Sequence, residues 1–294
     1  AYEIYQCDWS SDVCSSDLAI VASSLLPMTS SSAAGIDYSK CTDLKTCGGM
    51  DALVKAAQKE GKLNVITLPR DWANYGEAMD LFSKAFGIKI TDDNPDGSSA
   101  YEIQTVKSAP KSKIPDAVDV GITYGADNAN LFSPYKVVAW NDIPTQYKDP
   151  SGRWYGDYNG QIAISYDASI AKAPKAISDL KDPAFKGMVA IGGDPTGAQE
   201  ALMSVFAATI ASGGTSDSVQ PGIDYFKGLK SSGNFVPALA SGANFAAGAY
   251  KVSFSWDFNG PGAIASAAKI GKTVKYVDRK STRLNSSHTD ISRM

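Results

Sequence analysis

LNVITLPRDWANYGEAMDLFSKAFGIKI, residues 63–90, lays out a strand, a loop, a helix and the start of a second strand. LNVITL is a short apolar, partly β-branched run, and it predicts a buried strand. From 75 to 86, Met79, Phe82 and Phe86 recur at helical spacing and share one face. Gly87 stands where a left-handed residue caps a helix, and Ile88 and Ile90 open the next strand. A strand–helix–strand unit of this length predicts a parallel pair in an α/β sheet.

Outward from this unit the alternation continues. MDALVKAAQKE, 50–60, predicts a helix stopped by Gly61. Residues 99–109 predict a helix ended by Pro110, and DAVDVGI, 116–122, a third strand. Residues 133–160 are rich in Pro, Asp, Gly and aromatics, and the crossing between two lobes is expected within 133–165. A second α/β unit follows: a strand in GMVAIG at 187–192, helices at 197–212 and 221–232, the latter opened by Pro221, and a strand in KVSFSW at 251–256. A helix at 262–270 and a strand in TVKYV at 273–277 complete it. The expected division is 49–145 for lobe 1, 146–255 for lobe 2, and 256–277 as a return toward lobe 1 that breaks off there.

The two ends read differently. DWSSDVCSSDL at 8–18 and DRKSTRLNSSH at 278–288 are encoded by the two strands of one stretch of DNA. Polar tails have no reason to be reverse complements, so both ends resemble translated sequencing adapter. Residues 1–18 and 278–294 are therefore expected to be foreign and are set aside before the fold is read. The leading piece carries four acids and no base, the trailing one four bases and two acids, so the body between them is close to neutral. Such a body lacks the basic stripe of a nucleic-acid binder. Residues 19–34, AIVASSLLPMTSSSAA, form an apolar run ending in small residues, as in the back half of a secretory signal peptide. Residues 19–48 are accordingly expected to be a leader remnant with a cysteine-containing loop. Cys41 and Cys47 in CTDLKTC are expected to be bridged, because paired cysteines in an exported chain are usually oxidised.

Several kinds of chemistry are missing. The one histidine, His288, lies in the trailing foreign segment, which removes Ser-His and Cys-His catalysis and histidine metal ligation from the body. No P-loop, G-x-S-x-G or G-x-G-x-x-G occurs. No apolar stretch reaches the roughly 18 residues of a membrane span. Binding without catalysis, with no cofactor and no metal, is the expected role.

Four segments carry a resemblance: 63–90; DAVDVGITYG at 116–125; LKDPAFKGMVAIGGDPTGAQEAL at 180–202; and KVSFSWDFNGPGA at 251–263. Their order and spacing resemble the type II solute-binding proteins of ABC importers, in the branch that includes polyamine, thiamine and ferric-ion binders. The resemblance implies an α/β fold of two lobes that close on a solute about a hinge. It implies a monomeric, exported protein, periplasmic or attached to the cell surface, whose partners are a small solute and an ABC permease. Members of the family continue beyond the point where this body stops, so the chain is expected to be C-terminally truncated.

Ligand groups in such sheets sit on strand-end loops and helix N-termini. Asp71, Trp72, Asn74 and Tyr75 fall in the first such loop, and Trp72, Asn74 and Tyr75 match an aromatic, a polar residue and a tyrosine of polyamine binders. Asn74 departs from the pattern, which has a carboxylate there. Tyr124 is expected at a strand end, facing either ligand or sheet. Asp194 and Thr196 precede a helix, where they can hold an amine or simply cap it. Trp256 matches a ligand-stacking tryptophan, and with Asp257 it offers an indole face and a carboxylate to an ammonium. Tyr155, Tyr158 and Asn159 in the crossing are weaker candidates. A ferric-ion or anionic ligand is the alternative, as is a sensor or enzyme domain on the same fold; ferric-ion members usually show adjacent tyrosines, which this chain lacks.

Overall fold

The computed structural model describes residues 35–277. The ends expected to be foreign, 1–18 and 278–294, and the expected leader segment at 19–34 lie outside them. Helix α1, Met50–Glu60, leads into strand β1, Lys62–Ile66, whose Val65 and Ile66 are buried. Helix α2, Tyr75–Phe86, follows, and Gly87 takes the left-handed cap at φ 70°, its N–H reaching the carbonyl of Ser83. Met79 is buried and the rings of Phe82 and Phe86 lie 5.0 Å apart, so the predicted face is the packed one. Strand β2, Lys89–Asp93, runs parallel to β1 with Leu63 beside Ile90. Helix α3, Ser99–Ser108, is capped by Ser98, whose hydroxyl accepts from the N–H of Tyr101. Strand β3, Ala117–Val118, completes a three-stranded parallel sheet in the order β2-β1-β3.

The expected strand at 116–122 is thus only two residues long. From Gly121 the chain turns into helix α4, Ile122–Asp127. The Gly121 N–H is taken by the hydroxyl of Ser99 rather than by a neighbouring strand, which ends the ladder. Residues up to 161 then cross to the second sheet as short 3₁₀ turns. Arg153 fastens them by donating to the carbonyl of Phe132 at 2.6 Å, and Lys148 lies over the Trp140 ring while donating to its carbonyl.

The second sheet has five strands. They are β4, Ile162–Asp167; β5, Val189–Ile191; β6, Phe235–Leu239; β7, Val252–Trp256; and β8, Val274–Tyr276. Their order is β6-β5-β7-β4-β8, parallel except for β4, which runs antiparallel between β7 and β8. Helices α5, Gln199–Ala211, and α6, Gln220–Ser232, pack on this sheet, and α7, Gly242–Ala246, and α8, Gly260–Lys269, connect its later strands. The core under α5 and α6 is dry and aromatic: Phe185, Phe254, Ile164, Leu180, Leu229, Val189 and Val252 are fully buried. Strands β4 and β6 and helices α4 and α7 were not among the sequence expectations. The segment 256–277, expected to return to lobe 1, instead stays with this sheet. Tyr276 pairs with Ser165, and Val274 and Val277 are buried there, because the free edge of β4 offers both hydrogen bonds and apolar cover.

The cysteine loop is held by Asp43 and Thr46, each accepting from the other's backbone N–H, and docks on the crossing through the Lys136 N–H and the Thr42 carbonyl. Cys41 and Cys47, expected to be bridged, are free thiols here. Cys47 is buried against Cys41, and burial pushes its thiol up to about 11.

Helices α5 and α6 approach so closely that a Cβ on Gly222 would fall 2.1 Å from the carbonyl oxygen of Val205. That atom is helix backbone and cannot rotate away. Gly222→Ala is therefore expected to lower stability by about 1–3 kcal/mol, the usual cost of overpacking, read as a fall in the urea midpoint with unchanged slope.

Candidate functional site

Between the two sheets lies a cleft of about 1920 Å³. It is bounded by the loops after β1, β2 and β3, the crossing, and the strand-end loops of the second sheet. The loops after β1, β2, β3, β5, β6 and β7 are carboxyl-end loops of parallel strands, the usual place for ligand groups in α/β sheets.

The loop after β1 is bent by three successive departures from ordinary backbone. Thr67, Ala73 and Asn74 all have positive φ, at 58°, 43° and 64°. The bend drives Asp71 against the start of α8: a Cβ at Gly262 would lie 2.4 Å from the Asp71 carbonyl oxygen. The Ala73 N–H reaches the side-chain oxygen of Asn259 at 3.3 Å. The ring of Trp72 meets Phe258 at 6.3 Å. Phe258 stacks on Trp256 at 5.9 Å and touches Tyr158 edge-on at 4.8 Å. Phe258 therefore stands between the two tryptophans.

The polar centre is Asp119, just past β3. One carboxylate oxygen accepts from the hydroxyl of Tyr75 at 2.5 Å and from that of Tyr158 at 2.6 Å. Its backbone N–H donates to Glu102 on α3 at 3.1 Å. Both phenols are held above the ordinary tyrosine range, by burial first and by the charge of Asp119 next. Glu102 is 1% exposed, and burial, then Asp119, pushes it up to about 9. Asp157 still meets the open cleft, but the crowding of its walls and then the charge of Asp119 push it up to about 6. On the other side Glu200, in the first turn of α5, is buried, and burial pushes it up to about 8; its carboxyl accepts from the Trp256 N–H at 3.4 Å. Among the described residues no ion pair joins a lysine or arginine to any of these four carboxyls, and no group of three His, Cys, Asp or Glu is placed to hold a metal.

Asp71, Trp72, Tyr75 and Trp256 line this cleft. So do Tyr155, Tyr158 and Asn159 of the crossing, whereas Asn74, Tyr124, Asp194, Thr196 and Asp257 do not. Asn74 is the left-handed residue before α2. Tyr124 sits on α4, not at a strand end, and its hydroxyl donates across the cleft mouth to the Thr196 carbonyl at 2.9 Å. Asp194 accepts from the N–H and hydroxyl of Thr196, closing a local turn. Asp257 lies in the 3₁₀ turn after β7 and accepts from the Gln161 N–H at 3.0 Å. Asp119, Glu102, Glu200 and Phe258 were missed. Phe258 stood beside two singled-out residues; Glu102 and Glu200 carry no local signal that a helical glutamate will be buried.

A family model described as bacterial extracellular solute-binding protein matches residues 113–260. The chain belongs to that family. Comparison with curated protein sequences gives no match. Among solved structures, this solute-binding protein is similar to the periplasmic binding protein P5PA, with a TM-score of 0.54 and 20% identity over 74% of this chain and 69% of that one. It is similar to the same extent to the periplasmic binding protein AfuA from Actinobacillus pleuropneumoniae with fructose-6-phosphate bound, at TM-score 0.54, 18% identity and the same coverage. The fold is that of the two-lobed type II periplasmic binding proteins, with the cleft between the lobes. The protein binds rather than catalyses: it captures a small solute outside the cytoplasm for delivery to an ABC permease. Among the described residues no helix is long and apolar enough to cross a membrane.

The buried carboxyls give the solute-binding protein a pH signature. Folded Glu102 and Glu200 keep their protons up to about 9 and about 8, whereas in the unfolded chain they lose them near about 4.3. The folded state thus binds more protons over this interval, and stability falls as pH rises through it. The thermal midpoint is expected to drop between pH 5 and 8, and Glu200→Gln to flatten that slope by at most about 1.4 kcal/mol per pH unit.

Proposed function

We propose that the cleft captures a small organic cation, an amine of the polyamine class. One observation carries this reading: Asp119, Glu102, Asp157 and Glu200 converge on one aromatic-walled cleft, and among the described residues no lysine or arginine forms an ion pair with any of them. Carboxyls crowded in this way favour a bound positive charge. Tyr75, Tyr158 and Asp119 then hold an ammonium. Trp72, Phe258 and Trp256 supply apolar walls and ring faces, and Asp71 lies at the rim. Asn74, Tyr124, Asp194, Thr196 and Asp257 shape and latch the cleft rather than touch the solute.

A ferric ion is the second reading. Two phenol oxygens lie 2.5 and 2.6 Å from one carboxylate oxygen of Asp119, a cluster of hard oxygen donors of the kind such a cation prefers.

The export that goes with this role supports a Cys41–Cys47 bridge in the oxidised protein, since the Cys47 thiol already faces Cys41. Thiol titration of denatured, unreduced protein from the native compartment is expected to find neither thiol free; two reactive thiols would count against the bridge.

Titration calorimetry with putrescine, spermidine, thiamine and ferric citrate tests the ligand. A polyamine is expected to bind, and Asp119→Asn to weaken it at least about tenfold, the loss of one charge-assisted hydrogen bond. Trp256→Ala is expected to cost about 1 kcal/mol. Binding of ferric ion alone, with a visible phenolate-to-iron absorption lost in Tyr158→Phe, would replace the amine reading with the ferric one.

A further inference from the structure

Glu102 is a buried carboxyl with one oxygen employed and one idle. Its Oε2 accepts from the Asp119 N–H at 3.1 Å. Its Oε1 is buried and has no hydrogen-bond partner among the described residues. The side chain is 1% exposed, yet Glu102 lines the cleft. Ser99, one turn earlier on α3, accepts from the Gly121 N–H, so the first turn of α3 grips the loop on both sides of Asp119. An idle buried carboxyl oxygen is costly and is seldom left unexplained.

The charged and titratable groups facing Glu102 are of one sign. Asp119 at the end of β3 is the nearest, and Asp92 on β2 adds to it. Beyond Asp119 stand Asp157 of the crossing and the neutral phenols of Tyr75 and Tyr158. Asp92 already accepts from the Leu68 N–H. Among the described residues no lysine or arginine pairs with any of these carboxyls.

We propose that Glu102 is the positioning residue that couples solute capture to proton release: it holds Asp119 through the backbone while protonated, and surrenders its proton to solvent when a cation enters beside Asp119. This rests on the organic-cation reading. The charge balances, since one positive charge arrives as the ammonium and one leaves as the proton. A primary ammonium has three N–H donors. Two of them match the idle Oε1 of Glu102 and the second oxygen of Asp119, which accepts no hydrogen bond among the described residues.

The sign follows from linkage. Without solute the carboxyl stays protonated up to about 9; an adjacent cation favours the charged form and lowers that value. Between the two values, binding releases a proton and affinity for the amine rises with pH, by at most about tenfold per pH unit. Below the lower value the exchange vanishes and Asp119 alone holds the cation.

Calorimetry of the full chain with putrescine at pH 7, in phosphate and in Tris, reads the protons released from the dependence of the observed heat on buffer ionisation. Wild type is expected to release close to one proton more than Glu102→Gln, whose amide oxygen keeps the bond to the Asp119 N–H. Carboxyl ¹³C NMR of wild-type protein supplies a reading that needs no variant: one buried glutamate is expected to titrate above pH 8 and to move down when putrescine is added. Equal proton release in both proteins, or a glutamate titration unmoved by putrescine, overturns the coupling while leaving the amine reading in place. If putrescine and spermidine fail to bind at every pH from 6 to 9, the amine reading falls and takes the coupling with it.

Discussion

A half-buried carboxylate needs donors, and Asp119 receives two of them from distant parts of the chain. The hydroxyls of Tyr75 on α2 and Tyr158 on the crossing meet on one oxygen, and Glu102 on α3 takes the backbone N–H. Each donor is fixed by an element that would otherwise be free to drift. The first turn of α2, the loop after the shortest strand and the crossing thus come to a point. Tyr158 extends the contact to Phe258, and through it to Trp256 at the end of β7. The aromatic wall of the cleft is assembled around this one acceptor.

The two sheets divide the labour unequally. The five-stranded sheet has a dry interior in which Phe185, Leu180, Leu229, Val252 and Phe254 lose all contact with water. Such packing is rigid. It also pins polar groups that serve as ties: Asn234 donates to the carbonyls of Leu180 and Asp182, and Ser165 bonds Ser253 across β4 and β7. This framework presents Glu200, Trp256 and Phe258 at fixed positions. The three-stranded sheet is thinner and contributes loops more than core.

Besides the packing of Asp71 on Gly262 and of Trp72 on Phe258, polar contact between the lobes across the cleft is light among the described residues. Tyr124 to Thr196, Thr123 to Gln199, Ala73 to Asn259 and Ala100 to Gly197 are single hydrogen bonds, the first two exposed. Bonds of this kind each contribute about 1 kcal/mol, so a closed cleft held by them reopens without disturbing either core. That balance suits a protein that must trap a solute and then hand it over.

The sequence by itself determined the elements whose signal is local. Met79, Phe82 and Phe86 at helical spacing specified α2, Gly87 ended it, Pro221 opened α6, and the β-branched runs of 63–68 and 251–256 specified two strands. Trp72, Tyr75 and Trp256 were legible as cleft residues because they sit at the ends of such elements. What only the tertiary structure decided depends on partners distant in the chain. β4 is a strand because β7 and β8 lie on either side of it, and residues 274–276 stay with the second sheet because β4 has an edge to cover. Asp257 accepts from the N–H of Gln161, almost a hundred residues away, a partner no local pattern announces. Glu102 and Glu200 look like any solvated helical glutamates in the sequence. Their burial, and with it the acidity of the cleft, arises only when a helix face is pressed against a strand end, where no local pattern records the loss of water.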